Sequence, residues 1–600
     1  MRFWSVSTTV RNPERIRSFL KVLKSIEGEI WTKETQKKYQ VLLIKNKVYG
    51  FGEPQFHNSL PNKYNTWLDG DITYEQAEEI LDYKNYTGGG NMRGRQSFNP
   101  IRKMGLAYIN ENNKIKITDF GNYFLQDDYD LGEVFFKSFL KWQYPNPDAN
   151  KYNVENYNIK PFIATLHLIK LVNDICQKMK ITEKGVSKVE FALFFVSLSN
   201  YKDIPDRAKE IVDFRLKYEK LKSQDDKKKF VESYFENKFS EYESLSNAFE
   251  YADNIIRYFR LTRYIYIRGN GWYIDLEPRR IVEINSLLET DDVSALKFDS
   301  KNDYVKYLGD INTPVLPWET QDKMKEVIHL LQNEIEQKII ELHNQNIKTP
   351  SIPEIDTLSN DIEYLKTNTE LLRNFRRKLY EIETHHASQR IDKIDEYIEG
   401  LKEIFKVTKN RPVELERIVT LGLNALNDAL EIKPNYPTGD DNEPTFTAPA
   451  NKPDIECYYD SFNAICEVTL LTNKSQWFNE GQPVMRHVRD FEEQNKEKET
   501  YCLFIAPKLH RDTINTFWIA TKYEYEGIPQ KIVPMSITQF TELLKILKEL
   551  KKKGYFLTHK KIKELYDSII EQTKYVRSSD EWISKIPEII NEWKKTLLAA

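Results

Sequence analysis

Pro453-Asp454 is followed thirteen residues later by Glu467, and thirteen residues beyond that by Glu480. Between the first two acids runs Ile455-Glu456-Cys457-Tyr458-Tyr459-Asp460-Ser461-Phe462-Asn463-Ala464-Ile465-Cys466. It reads as two short strands, rich in aromatic and β-branched residues, folding back at Asp460-Ser461. With the turn centred there, facing residues have numbers that sum to 921, and Asp454 faces Glu467. Carboxylates with Cβ atoms roughly 5 Å apart repel each other unless a cation lies between them. Carboxylate oxygens suit a hard divalent ion, and such an ion activates water against a phosphodiester. The expectation is phosphodiester hydrolysis by water activated on a divalent ion between Asp454 and Glu467. An Asp…Glu pair at hairpin spacing is by itself commonplace on exposed faces. Here a third acid and the helix opening Pro483-Val484-Met485-Arg486-His487-Val488 lie within about 35 residues of it.

The elements that must position these residues form an α/β pattern from 410 onward. A helix from Leu415 to Leu430 carries Glu416, and a loop at 437–453 leads into the hairpin. The Arg486-His487 helix follows, then a strand from Tyr501 to Ala506 and another around Ile532-Val533-Pro534-Met535. Helices at 537–552 and 560–572 come last. Asp440 and Asp441 lie in a Gly/Pro-bounded loop and read as turn formers.

Apolar residues at three- and four-residue intervals over 319–407 predict three amphipathic helices, broken at Thr349-Pro350-Ser351-Ile352-Pro353 and near His385-His386. They suit a spacer, or equally a dimerisation surface. His385 and His386 are read as surface residues. The first 90 residues are expected to mix strands and short helices. Over 92–125 a helix ends at Met104-Gly105-Leu106, a hairpin turns through 110–113, and a helix restarts at Asp119, as in a winged helix. A second such unit is expected in 180–276. There Ser187 would cap a helix with Glu190 at the capping-box position, and a hairpin would turn at Gly269-Asn270-Gly271.

The formal net charge of −3 argues against indiscriminate nucleic-acid binding. Local clusters argue the other way. Arg93, Arg95, Arg102 and Lys103 fall in one stretch without acids, and Arg257, Arg260, Arg263 and Arg268 in another, so these eight are the candidate DNA contacts. The four cysteines show no metal-type spacing, and three fall in expected buried strands. With no long apolar run and no secretory start, a reduced, cytoplasmic protein without membrane contact is expected. At 600 residues several domains are expected.

The run NKPDIECYYDSFNAICEVTLLTNKSQWFNEGQPVMRHV, with YCLFIAP at 501–507, resembles the cleavage domain of the AlwI-type restriction endonucleases, type IIS enzymes that include site-specific nicking endonucleases. WSVSTTVRNPERI near the start, FFKSFLKWQYPNP at 135–147 and RYFRLTRYIYIRGN at 257–270 resemble the family's recognition region. With the element order above, this gives a winged-helix-like recognition region at 1–300 (subdomains about 1–145 and 146–300) and a helical linker at 301–407, and the resemblance implies a PD-(D/E)xK-type cleavage domain at 408–600. It places the metal-binding acids on Asp454, Glu467 and Glu480 and an upstream glutamate on Glu416. The lysine of the general nuclease pattern, two residues after the second acid, is Thr469 here, a substitution AlwI-type enzymes share. His487, Arg486 or Lys474 is left to orient the attacking water. The implied activity is Mg²⁺-dependent cleavage of double-stranded DNA at a fixed distance outside an asymmetric site. The implied partners are a second nuclease domain (homodimer or small subunit) and a cognate DNA methyltransferase. A strand-specific nicking enzyme, or a DNA-binding regulator with a degenerate nuclease domain, stands as the alternative.

Overall fold

The computed structural model describes residues 2–7, 10, 13–48, 60–61, 63–64, 67, 72–86, 90–126, 129–147, 157–268, 273–356, 359–407, 411–426, 428–439, 443–444, 447–448 and 452–599, except the side chains of Arg268 and Ala599. The chain is mixed α and β, mostly helical with small sheets. It divides into two compact units, Met1–His329 with Asp356–Thr369, and Leu330–Ile355 with Glu370–Ala600. Among the described residues no helix is long and apolar enough to cross a membrane.

In the first unit the described part of residues 1–90 holds helices and no strand, against the mixture expected. Ile16–Lys24, Lys33–Lys45 and Tyr74–Lys84 are α-helical. Buried Ile16, Phe19, Leu20 and Leu23 recur at helical spacing, and that periodicity decides the element type. Helix α1 (Asn91–Lys103) leads into the hairpin of β1 (Ala107–Ile109) and β2 (Ile115–Ile117), followed by α2 (Asp119–Leu125), in the expected order. Thr118 explains the restart: its Oγ1 accepts the Gly121 N–H at 2.9 Å and donates to the Gly105 carbonyl at 2.7 Å.

The second segment departs from expectation. Ser187 and Glu190 form the capping box, but the α-helix covers only Lys188–Glu190 and continues as a π-helical turn, Phe191–Phe195. The carboxylate of Glu190 also takes a fork of bonds from Arg215: Nε to Oε1 at 2.8 Å and Nη2 to Oε2 at 2.9 Å, both side chains buried. β3 (Val186–Ser187), helix α3 (Leu245–Arg260), β4 (Ile265–Arg268) and β5 (Tyr273–Leu276) complete this region, with sheet order β3-β5-β4. The turn at Gly269-Asn270-Gly271 lies outside the described residues.

Helices Gln321–Asn344, Ile362–Ser388 and Ile391–Glu403 occupy the region read as three amphipathic helices. His386 is exposed, whereas His385 is half-buried and its Nδ1 lies 2.7 Å from Asn424 Oδ1, so the surface reading holds for one of the two.

The second unit centres on a five-stranded sheet. α4 (Arg411–Leu426) ends four residues earlier than expected, because 431–434 is recruited as β6 (Glu431–Pro434), pairing antiparallel with β7 (Ile455–Tyr458). β7 pairs antiparallel with β8 (Asn463–Val468). Helix α5 (Gln482–Gln494) carries proline in its first turn. β9 (Thr500–Ala506) and β10 (Ile532–Ser536) extend the sheet in parallel, in order β10-β9-β8-β7-β6. Both β9 and its neighbour β8 are almost wholly buried, as central strands covered on both faces are; β9 is apolar but for Thr500, while β8 carries Asn463 and Glu467 among apolar residues. α6 (Arg511–Lys522) lies between β9 and β10, and α7 (Ile537–Lys552), α8 (His559–Glu571) and α9 (Ser579–Ala599) follow β10; α6 and α9 go beyond the helices expected. The four cysteines are free and buried, three of them in β7, β8 and β9.

Candidate active site

The β7–β8 hairpin has the register expected of it: Ile455 pairs with Cys466, Glu456 with Ile465, Cys457 with Ala464 and Tyr458 with Asn463. The Tyr459 N–H closes the turn on the Phe462 carbonyl at 3.1 Å. One step beyond the ladder come Asp454 and Glu467, at the end of the sheet away from the turn. The Val468 N–H donates to Asp454 Oδ2 at 2.8 Å, which fixes that side chain against the last residue of β8. Glu467 is buried, and its Oε1 lies 2.8 Å from His487 Nδ1 on α5.

Two further acids face the same place. Glu416 on α4 is buried and accepts the Ala448 N–H on Oε2 at 3.0 Å. Glu480 sits in a π-helical turn, Trp477–Gly481, immediately before α5. All four carboxyls are held well above the ordinary carboxylate range. Burial is the largest cause throughout, and each acid is raised further by a neighbour. Asp454 is pushed up by Glu467 and Glu480, and Glu467 by Glu416. Glu416 rises to about 9, with Asp454 and Glu480 contributing. Glu480 rises to about 8 with Glu467 contributing, against the Thr469 hydroxyl and His487, which lower it. Among the described residues none of these four acids is ion-paired with Lys or Arg; Glu467 meets His487.

His487 is itself held below its ordinary value, chiefly by burial and next by Arg486. Its Nε2 is a buried polar atom with no hydrogen-bond partner among the described residues. Thr469, where the general pattern has lysine, is buried; its N–H pairs with the Ile505 carbonyl and its Oγ1 accepts the Leu471 N–H at 3.2 Å. Lys474 is exposed at the start of the short helix Lys474–Gln476. Asp440 and Asp441 lie outside the described residues.

Among the described residues no three His, Cys, Asp or Glu side chains already converge to hold a metal ion. The donors nonetheless fit a hard dication in kind. They are carboxylate oxygens, Glu416 and Glu467 buried and Asp454 and Glu480 half-buried beside them, with no Lys or Arg ion pair among the described residues, the condition under which an external cation is strongly drawn. Closing them on an ion requires side-chain rotation.

The expected DNA contacts are less exposed to phosphate than the sequence suggests. Arg257 Nε donates to Asp253 Oδ2 and Arg263 Nη1 to Asp130 Oδ2, each at 3.0 Å. Arg257 and Arg260 also act on the buried carboxyl of Glu14, which burial pushes up to about 7. Lys103 Nζ donates to the Ser5 carbonyl, and Arg93 lies 4.8 Å over the Tyr86 ring. Arg95 is exposed, Arg102 is half-buried, and the Arg268 side chain is outside the described residues. The clusters are acid-free along the chain, but the fold brings Asp130 and Glu14 to them from elsewhere.

Comparison with protein families places the chain among the restriction endonucleases, which are site-specific deoxyribonucleases acting on DNA. The match is to the AlwI restriction endonuclease family over residues 102–543, and with most of its length covered the chain belongs to that family. No curated protein matches the chain. Among solved structures it is similar to the small subunit (R.BspD6I2) of the heterodimeric restriction endonuclease R.BspD6I, at 22% identity over 32% of this chain and 98% of that one, with a TM-score of 0.28.

Proposed function

We propose that this restriction endonuclease is a type IIS enzyme that reads an asymmetric site with residues 1–300 and cuts at a fixed distance outside it. Residues 301–407 act as a helical connector, and 408–600 form a PD-(D/E)xK-type cleavage domain. The observation that carries the reading is the pairing register that brings Asp454 and Glu467 together at one end of the sheet, beside Glu416 and Glu480 and with no Lys or Arg ion pair among the described residues.

In this reading Asp454 and Glu467 hold Mg²⁺ and Glu480 completes the set. The ion, when bound, lowers the pKa of water and draws charge from the phosphoryl oxygens. Through its Nδ1 contact, His487 fixes the Glu467 carboxylate, and the unpartnered Nε2 is free to hold water or a phosphate oxygen. With Thr469 at the usual lysine position no basic group stands there, so His487, which contacts Glu467, is the favoured substitute. Glu416, anchored by the Ala448 N–H, supports the site from α4.

The sequence contains one Pro-Asp…Glu…Glu cluster, so one chain attacks one phosphodiester at a time. Double-strand cleavage then needs a second nuclease domain, and nicked circles precede linear DNA. The winged-helix-like segment α1-β1-β2-α2 and the β4–β5 hairpin supply the reading surface, and a cognate methyltransferase protects host sites in the cytoplasm. The test is cleavage of a plasmid by purified protein in Mg²⁺, with the ends sequenced. Ends at a constant offset from one short sequence support the reading; scattered ends, or full activity in chelator, overturn it.

A further inference from the structure

The connection between α7 and α8 is the most basic stretch of the second unit that the active site leaves unused. From Lys551 to Lys563 it runs KKKGYFLTHKKIK, six lysines without an acid. Lys561 and Lys563 are taken by Glu564, Glu499 and Asp567. Lys552, Lys553 and Lys560 are exposed and make no ion pair among the described residues. Beside them Tyr555 and Phe556 stand 48% and 69% exposed, while Leu557 is buried. Lys551 Nζ lies 5.6 Å over the Phe556 ring.

This is a built loop. Gly554 has φ +79°, and the Tyr555 N–H returns to the Leu550 carbonyl at 3.0 Å, which closes the end of α7. On the far side Asp428 Oδ1 accepts the His559 N–H at 2.5 Å and lies 3.0 Å from His559 Nδ1. The loop is thus pinned at Leu557 and His559, and its two aromatic rings are left in solvent between unpaired lysines. The His559 ring lies 6.2 Å from Tyr459 and 6.3 Å from Phe462, at the turn of the β7–β8 hairpin. Glu467 is at the other end of β8, ~13 Å along the strand at about 3.3 Å per residue.

We propose that the loop 551–560 is a second, sequence-independent DNA-contact surface, separate from the acids and from the arginine clusters of the first unit. Lysines without partners bind phosphates as point charges, and exposed aromatic rings pack on sugars or unstacked bases; a surface that presents both fits a nucleic acid. An anionic membrane has a related chemistry, but the chain's substrate is DNA, so DNA is the occupant favoured. The inference stands on the loop and on family membership, and is independent of the metal site.

The test is binding of full-length protein to a duplex without its recognition site, in chelator so that no cutting intervenes. The variant Lys552→Gln/Lys553→Gln/Lys560→Gln should bind at least about tenfold more weakly at low salt. Its slope of log K against log salt should fall by about 2–3, at ~0.9 per phosphate contact. Phe556→Ala should weaken binding with the slope unchanged, and the triple Lys→Arg variant should restore wild-type affinity. If the glutamine variant keeps both affinity and slope, the proposal fails. It fails equally if DNA binding is unchanged while binding to phosphatidylserine vesicles is lost, which would assign the loop to lipid. Should the glutamine variant not fold, the Phe556→Ala and Lys→Arg arms decide alone.

Discussion

Each unit buries acids, and the two do so in opposite ways. Glu190 in the first unit lies under its own capping box and meets both arms of Arg215, which also donates to the Gly185 carbonyl at 2.6 Å. Asp454, Glu467, Glu480 and Glu416 in the second unit are buried or half-buried with one another, and among the described residues they meet N–H groups, a hydroxyl and a histidine but no Lys or Arg ion pair. A buried acid given a fixed guanidinium is a structural joint, with its charge already answered. Buried acids given none are costly to keep ionised and are poised for a cation from outside.

The sharpest break of this comparison is Asp454→Ala. Plasmid cleavage in Mg²⁺ should fall by about 10³-fold, the scale of losing a principal electrostatic stabiliser, while binding to the recognition site persists. Near wild-type cutting would remove the acids from the mechanism. Glu190→Ala should instead cost stability, about 3–5 kcal/mol by denaturant unfolding, because it strands the Arg215 charge. A loss under about 1 kcal/mol would mean that the pair is not the joint described.

Acidity separates the two sites next. Glu480 and Glu416 keep their protons to about pH 8 and 9 when folded, against 4.5 as the ordinary value. In that window the folded chain binds more protons than the unfolded one, so stability falls as pH rises. Metal-free protein should therefore show a declining melting temperature from about pH 5 to pH 9, and Mg²⁺ should raise it more at pH 8.5 than at pH 6. A pH-independent Mg²⁺ effect would speak against binding at these acids. The smallest effect is expected from Asp253→Asn. Its exposed pair with Arg257 is worth about 0–1 kcal/mol, so stability should barely move. If Arg257 touches DNA, freeing it should tighten binding, as a gel shift can show.

Local signals carried much of this into the sequence. The hairpin register followed from one turn and the alternation around it, and the Ser187–Glu190 capping box from a serine and a glutamate three residues apart. Helix α7 appeared at its full length from apolar periodicity. What was hidden depends on distant residues. Nothing near Glu190 announces Arg215, and nothing near Arg263 announces Asp130. The early end of α4 reflects the pairing of β6 with β7, a contact between segments over twenty residues apart that overrides local helix propensity. Asp253, by contrast, stands four residues before Arg257 on α3 and could have been read from the sequence as its partner. The metal roles of the acids rest on the resemblance and on chemistry, since the side chains are not closed on an ion.

The π-helical turn Trp477–Gly481 has a consequence for how such a site can change over time. A π turn holds one residue more than an α turn, and each residue of an α-helix advances the phase by about 100°. Glu480 lies inside that wider turn and His487 lies beyond it, on the regular helix. Loss of a single codon from 477–479 would let the segment close into ordinary α-helix and rotate Glu480 out of phase with the sheet. An in-frame deletion could in this way silence the enzyme while leaving a folded protein that still reads DNA.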